Sequence, residues 1–371
     1  MQAIGPLLGA LARDGTQVYL TTTTSTGFRM ALERYSPLVA GLGYFPLDWW
    51  PFSSRAWRRI APDLAILMEG EHWPEHLRQA RLRGVPVINI NARLSDRTFA
   101  RLKWCRRRFP GILSLFFAPL TRVLACSAQD EARLRELGLS AERLASTGNI
   151  KLDVPLPRLG EIEREELKRE LGLPGGLILA GASTWPGEET ALVEALKAAR
   201  PAGLRCSLLL VPRHAERRQE IEAELRTSGL RYHFRSRGAA PAEIDVAVGD
   251  TTGELRRLVQ LADLVFVGKS LPPHTEGQTP VEAAIAEKPI LFGPGMGNFA
   301  VIAADLLARG AARRVESPAD LSAAVGELLA DPVRRAELAA AAAAWHRENG
   351  GAVDRTLTAI REELSRSGRP G

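Results

Sequence analysis

Short apolar runs without a two-residue alternation recur along this chain, each separated from the next by a segment of helical periodicity. In the first half they are "QVYLTTT", "DLAILME", "VPVININ", "RVLACS" and "RLASTGN". In the second they are "LILAGAS", "CSLLLVP", "DVAVGD", "DLVFVGKS", "KPILFGP" and "AARRVE". A strand with one wet face alternates apolar and polar residues, whereas a strand covered on both faces is apolar throughout, as in parallel sheets flanked by helices. Strands alternating with helices in this way form right-handed βαβ units and therefore doubly wound α/β layers. No repeat at a solenoid period interrupts the pattern.

A chain of 371 residues has room for two such domains. The expected break follows "TGNIKLDVPLPRLG", where Pro155 and Pro157 interrupt regular structure before the charged helix "EIEREELKREL". This puts one domain at 1–158, a second at 159–345 and a helical tail at 346–371, whose end, "SRSGRPG", is expected to be disordered. The Ala-rich stretch "AELAAAAAAWH" is a helix rather than low complexity, because Ala is the best helix former. The chain opens on "MQAIGPLLGALARDG", in which Ile4, Leu7, Leu8 and Leu11 share one helical face with no strand before it. That is an odd opening for an alternating α/β protein.

With 45% hydrophobic and 25% charged residues, the chain reads as a soluble globular protein. Cys105, Cys126 and Cys206 are too scattered for a disulfide framework and fit a reducing compartment. No run of 18 apolar residues offers a membrane span, and no signal-peptide pattern opens the chain. The net charge of +6 is uneven: between Arg93 and Arg108 stand seven basic residues and one acid, Asp96. Nucleic acid, an anionic membrane face or a phosphorylated substrate would each suit the run, and so would a plain solvated helix face.

Ligands of open α/β sheets bind beyond the carboxyl ends of the strands. Polar clusters stand there in both halves: Glu69-Gly70-Glu71-His72-Trp73, Asn91-Ala92-Arg93, Arg213-His214, Thr251-Thr252-Gly253-Glu254 and Lys269-Ser270. Any one of them is also simply where a loop begins. Two segments suit anions. "ASTWPGEETALVEAL" and "EGQTPVEAAIA" each open a helix, whose free N–H groups and dipole favour phosphate, and Arg213 adds a forked donor. The bland alternative for the second is that Thr279 caps its helix and Glu282 closes a capping box. No Walker A sequence, strand-linked GxGxxG or DxD occurs, which argues against a P-loop nucleotidase, a Rossmann dehydrogenase and a metal-bridged sugar nucleotide. His72 and His76 have ligand-like spacing beside Glu71, but Pro74 between them spoils a regular helix and a zinc site with it.

Taken in order, "LTTTTSTG", "EGEHWPE", "PVININARLSDRT", "STGNIKLD", "ASTWPGEE", "LLVPRHAER", "VGDTTGEL", "ADLVFVGKSL", "EGQTPVEAA" and "KPILFGPGMGNF" resemble one family. It is that of the 3-deoxy-D-manno-octulosonic acid (Kdo) transferases of lipopolysaccharide assembly, which are GT-B glycosyltransferases. The resemblance runs over about residues 17 to 299. It implies two Rossmann-like domains facing a cleft, the first binding the acceptor and the second the donor. It implies metal-independent, inverting transfer of Kdo from CMP-Kdo to a lipid A precursor, with no cofactor, at the cytoplasmic face of the bacterial inner membrane. By the same resemblance Pro212 and Arg213 belong to the CMP pocket, Thr252, Gly253 and Glu254 form its second part, and Thr279, Pro280, Val281 and Glu282 its third. His214 and Ser270 are expected to line the donor site, and Glu69 or Glu71 to face the acceptor or the donor sugar. A phosphorylated glycolipid acceptor lends the basic run a role: Arg93, Arg97, Arg101, Lys103, Arg106, Arg107 and Arg108 would meet headgroups or acceptor phosphates, with Phe99, Trp104, Phe109 and "ILSLFFAPL" dipping into the interface. The plain alternative is that "LSLFF" is a core helix.

The chain departs from the family pattern in three places. Glu276-Gly277-Gln278-Thr279 replaces Gly-Gly-His-Asn, "EGEHWP" replaces "ETELWP", and "STWPGEE" replaces the "STHPGEE" type, losing a histidine near the donor. In the family the opening helix follows a first strand and an "SVGE" loop whose glutamate is the proposed catalytic base. Alignment through Pro6 puts that glutamate immediately before Met1, so the expectation is that Met1 is an internal methionine and that the strand, the base and any membrane anchor lie upstream. Competing readings are a GT-B-shaped protein that binds nucleotide or glycolipid without transfer, a GT-B epimerase and, on charge alone, a nucleic-acid-binding protein. The last lacks any RNP, KH or zinc-finger pattern.

Overall fold

The computed structural model describes residues 4–366 apart from 110, 112, 154, 174, 201 and 202. The chain forms two compact units, Met1–Pro155 together with Asn349–Gly371, and Leu156–Glu348. The first contains α1 (Gly5–Arg13), β1 (Tyr19–Thr22), α2 (Ser25–Tyr35), β2 (Gly41–Tyr44), α3 (Trp50–Ile60), β3 (Ala65–Met68) and α4 (Pro74–Arg83). It continues with β4 (Val87–Ala92), α5 (Asp96–Arg108), α6 (Ser114–Phe117), β5 (Arg122–Ala125), α7 (Ala128–Glu136) and β6 (Leu144–Ser146). The second unit begins with α8 (Glu161–Glu170), β7 (Leu177–Thr184), α9 (Glu188–Ala199), β8 (Cys206–Pro212), α10 (Arg218–Ser228), β9 (Tyr232–Phe234) and β10 (Val246–Val248). After these come α11 (Leu255–Leu258), β11 (Leu264–Val267), α12 (Val281–Ile285), β12 (Ile290–Phe292), α13 (Ala300–Ala308), β13 (Ala312–Arg314), α14 (Pro318–Ala330) and α15 (Pro332–Asn349). A last helix, α16 (Ala352–Arg366), belongs to the first unit.

Every strand pair is parallel. The second unit carries one seven-stranded sheet in the order β13-β12-β11-β7-β8-β10-β9. Its central strands are buried along their length, as apolar runs without alternation require. The first unit carries two separate sheets, β1-β2 and β3-β4-β5-β6. All eleven apolar runs read from the sequence are strands, and β2 and β9 join them. The sequence hides these two because "GLGY" has two glycines and "YHF" is only three residues long. Gly41 and Gly43 are small for a reason: the Tyr19 ring lies across them, and a Cβ at either would stand 2.6–2.7 Å from it.

Side-chain caps start several of the helices. Thr24 Oγ1 accepts from Gly27 N–H at 3.1 Å to cap α2, Ser95 caps α5 through Thr98 N–H, and Ser127 caps α7 through Asp130 N–H. The sequence sets 346–371 apart as a tail, but α16 returns to the first unit for two reasons. Val353, Leu357 and Ile360 share a core cluster with Leu7 and Leu11 of α1 and with Ile88 and Ile90 of β4. Asp153 accepts hydrogen bonds from Gly351 N–H at 2.8 Å and Val353 N–H at 2.5 Å, anchoring the start of the helix. Ser365 and Arg366 close α16, and the rest of "SRSGRPG" lies outside the described residues, as does Ile112 of "ILSLFFAPL". Among the described residues no helix is long and apolar enough to cross a membrane.

Candidate active site

In the second unit β7 comes first in the chain and lies between β8 and β11, so the winding of the sheet reverses there. The crevice at the carboxyl ends of strands on either side of such a reversal is where open α/β sheets hold ligands. The loops after β7, β8 and β11 meet at that point. The Trp185 ring packs edge-on against His214 at 5.2 Å and against His274 at 5.8 Å, and Lys269 Nζ stands 4.2 Å above it. Trp185 occupies the position where the family pattern has histidine, and its buried Nε1–H has no hydrogen-bond partner among the described residues.

One carboxylate holds this corner together. Glu188, in the first turn of α9, is 1% exposed. Its Oε2 accepts from Trp185 N–H at 2.9 Å and Lys269 N–H at 2.7 Å, and its Oε1 from Ser270 N–H at 2.8 Å and Leu271 N–H at 3.1 Å. Burial pushes the Glu188 carboxyl above its ordinary range, and the four donors oppose that shift. The approach is close enough to demand Gly268, where a Cβ would lie 2.4 Å from Ser183 O and 2.8 Å from Glu188 Oε2. Glu188 has no role in the sequence reading. Its only local signal is an acid in the first helical turn, which ordinarily serves the helix dipole.

The residues expected at the donor site divide into engaged and open groups. Pro212 ends β8, and Arg213 N–H donates to Thr184 O at 3.1 Å, while the Arg213 side chain is exposed and has no carboxylate partner among the described residues. Thr252 and Gly253 form the turn after β10, with Gly253 at φ +88°. Glu254 beside them is engaged: Arg235 Nε donates to it at 2.6 Å, and this bond holds its carboxyl below the usual range. Ser270 does not line a surface, contrary to expectation. It is fully buried; its hydroxyl donates to Val267 O at 2.6 Å and accepts from Gly293 N–H at 2.8 Å, so it ties two loops together.

At the start of α12, Thr279 Oγ1 accepts from Val281 N–H at 3.2 Å, and the next two residues, Pro280 and Val281, are buried. Glu282 closes no capping box. Its Oε1 lies 3.6 Å from Arg256, and its buried Oε2 has no hydrogen-bond partner among the described residues. The loop between β11 and α12 folds back on its own strand, with Gly277 N–H donating to Lys269 O and Gln278 N–H to Gly268 O. Glu276, one of the departures from the family pattern, pairs with Lys269 Nζ at 3.3 Å.

In the first unit the carboxyl ends of the strands carry the second set. Glu69 follows β3 at φ +58° and pairs with Lys151 Nζ at 2.5 Å. Glu71 is exposed and has no ion-pair partner among the described residues. Both, with Thr22, Thr23 and Thr24, line a groove of about 1900 Å³. His76 is consumed by structure: Trp57 Nε1–H donates to its Nδ1 at 3.1 Å, so its Nε2–H donates to Pro46 O at 3.0 Å and neither nitrogen is left for a metal. His72 is half-buried against Phe116 and Phe117, and this desolvation lowers its pKa. Cys126 donates to Asp130 Oδ2 at 3.2 Å, and burial first, then Asp130, pushes its thiol up to about 12. Arg93 is exposed just before α5, and no residue of α5 is fully buried. On α5 Lys103 pairs with Glu136 at 2.5 Å and Arg106 donates to Glu136 O. Arg97, Arg101, Arg107 and Arg108 stay exposed, with Trp104, Phe109 and Leu115 exposed near them, while Phe99, Leu102 and Phe117 pack against the core.

The solved structure of Anabaena Alr3699/HepE in complex with UDP matches 98% of this chain and 96% of its own, with a TM-score of 0.65 and 17% identity, and shares the GT-B fold. The family model described as "3-Deoxy-D-manno-octulosonic-acid transferase (kdotransferase)" matches residues 1–154. The 3-deoxy-D-manno-octulosonic acid transferase of Bordetella pertussis is 37% identical over 98% of this chain and 85% of its own length. That of Haemophilus influenzae is 32% identical over 98% of this chain and 85% of its own. An identity of this size over almost the whole of the sequence leaves one assignment: the chain belongs to the 3-deoxy-D-manno-octulosonic acid transferase family.

Proposed function

We propose that the chain moves Kdo from CMP-Kdo to a lipid A precursor, with inversion at the anomeric carbon and without a metal. The observation that carries the donor half is Arg213, an exposed guanidinium with no carboxylate partner among the described residues, at the carboxyl end of β8 beside the reversal of the sheet. A forked donor there suits the CMP phosphate, and the unpartnered Oε2 of Glu282 suits a ribose hydroxyl. The acceptor hydroxyl oxygen bonds to the anomeric carbon as that carbon's bond to the phosphate oxygen breaks. CMP leaves with the electron pair, and the hydroxyl proton passes to a carboxylate base. Arg213 and backbone N–H groups would offset the charge growing on the leaving phosphate. On the acceptor side Glu71 is the open carboxylate, whereas Glu69 is held by Lys151.

The purified protein, given CMP-Kdo and a lipid A precursor, is expected to release CMP and add mass to the glycolipid, in EDTA as well as without it. Arg213→Ala is expected to weaken CMP binding at least about tenfold, the scale of a charge-assisted contact. Unchanged affinity in that variant would refute the placement. A second reading has an observation in its favour: the parallel sheet of the first unit is divided between β1 and β3. On that reading the chain binds CMP but transfers poorly, and CMP binding without glycolipid mass gain identifies it.

The exposed arginines of α5, with Trp104, Phe109 and Leu115, support peripheral binding to the anionic cytoplasmic face of the inner membrane. Reversing the charge at Arg106, Arg107 and Arg108 is expected to cut binding to anionic vesicles at least about tenfold, since each basic residue near such a surface contributes about 1 kcal/mol. Equal vesicle binding by the triple variant counts against the patch.

A further inference from the structure

Two of the places where the chain departs from the family pattern meet at one ammonium group. Lys269 Nζ stands 4.2 Å above the Trp185 ring and 3.3 Å from the Glu276 carboxylate. Trp185 stands where that pattern has a histidine and Glu276 where it has a glycine.

The backbone holds Lys269 in this position. It follows β11 at φ +56°, in the left-handed region that a residue with a Cβ disfavours. Its N–H donates to Glu188 Oε2 at 2.7 Å, and its C=O accepts from Gly277 N–H at 2.8 Å. A backbone pinned in such a conformation fixes the direction in which the side chain leaves it. The same Glu188 oxygen accepts from Trp185 N–H, so one carboxylate sets both the ring and the ammonium. His214 and His274 pack edge-on against the ring, and His274 Nε2–H donates to Pro186 O at 3.0 Å.

The ion pair is lopsided. The Lys269 side chain is 18% exposed and that of Glu276 46%. A pair with one partner in solvent contributes little. The loop does not depend on it, because Gly277 N–H and Gln278 N–H already bond back to Lys269 O and Gly268 O. An ammonium carries three donors, and Glu276 is the one ion-pair partner of Lys269 among the described residues.

Of the lysines and arginines in the loops after β7, β8 and β11, Arg217 is tied to Glu189 and Glu220. That leaves Arg213 and Lys269, on the two sides of β7. Arg213 N–H donates to Thr184 O at the end of β7, and Lys269 N–H shares Glu188 with the next residue, Trp185. A CMP-linked octulosonic acid likewise presents two kinds of anionic group, a phosphate and a sugar carboxylate.

We propose that Lys269 receives the carboxylate of the donor sugar, with Glu276 giving way to it and Trp185 fixing the ammonium from below. This rests on the transfer from CMP-Kdo proposed above, in which Arg213 takes the phosphate. Once the nucleotide is seated, the sugar carboxylate competes with Glu276 at a high effective concentration. Trp185, Lys269 and Glu276 then act together in selecting an acidic donor sugar.

Titration of the 371-residue chain with CMP and, without acceptor, with CMP-Kdo tests this. Lys269→Met is expected to weaken CMP-Kdo binding at least about tenfold and to leave CMP binding within about twofold of the parent. Lys269→Gly, the residue best suited to this backbone conformation, is expected to give the same split, and retained CMP affinity shows that the fold survives. Glu276→Gln is expected to strengthen CMP-Kdo binding about two- to fivefold without moving that of CMP. Equal loss for both ligands in the two Lys269 variants overturns the proposal and gives the ammonium to the phosphate. Parent-like affinity for both ligands overturns it and leaves the ion pair a structural tie, and no gain in Glu276→Gln overturns the exchange with Glu276. A parent chain that binds neither ligand refutes the CMP-Kdo reading itself, and this proposal with it.

Discussion

Glu188→Ala is expected to destabilise the second unit by about 3–5 kcal/mol. The substitution strips the acceptor from four backbone N–H groups in a site from which water is excluded. A buried donor left unsatisfied costs about 1–3 kcal/mol, and the cavity opened by truncation lets water recover part of the sum. For a unit of this size the melting temperature should fall by roughly 10 °C. Glu188→Gln should recover less than half of the loss. Each carboxylate oxygen accepts two N–H bonds, so an amide NH2 in place of either oxygen faces two donors. Denaturant unfolding followed by far-ultraviolet circular dichroism checks this. An alanine variant within about 1 kcal/mol of the parent would show that the corner does not depend on this carboxylate.

Glu282→Ala is expected to weaken CMP affinity by about 10–100-fold while leaving the fold intact. Of the carboxylates in the proposed donor pocket, Glu254 is engaged by Arg235 and Glu188 by backbone amides, but Glu282 keeps an oxygen with no protein partner. A hydrogen bond from a ligand hydroxyl to a charged acceptor contributes about 1.5–3 kcal/mol, which is this range of affinity. The contact with Arg256 is long at 3.6 Å, so its loss should cost little stability. Calorimetric titration with CMP measures the effect, and Glu282→Gln should fall between the parent and the alanine variant. Parent-like affinity in the alanine variant would mean that this oxygen serves something other than nucleotide.

Much of the architecture was legible because its causes are local. Eleven apolar runs without alternation are eleven strands, since burial on both faces writes itself directly into composition. The two strands that escaped, β2 and β9, are short and lack such a run; β2 needs its glycines to pass under the Tyr19 ring. The tail was legible as helix but not as part of the first unit, because its attachment runs through Asp153, some 200 residues earlier in the chain.

The site divided along the same line. Polar residues after strands mark loops that meet where the second unit's sheet reverses, and motif order marks the family. Spacing could not tell a ligand-facing side chain from one consumed by structure. Ser270, which the resemblance puts on the lining of the donor site, is buried between two loops, and Glu282, which could close a capping box, caps nothing. Glu188 drew no notice, yet it joins the corner after β7 to the loop after β11.

By itself, the sequence determined the α/β class, the positions of eleven strands and the family, because hydrophobic periodicity and short motifs act over a few residues. Only the tertiary structure decided which carboxylates and hydroxyls are spent and which remain open. It also decided that the first unit's sheet is divided beside an open groove. The physical reason is that a buried polar group is satisfied by whatever the fold brings to it. For Glu188 those donors include amides 81 to 83 residues away, a distance no local pattern spans.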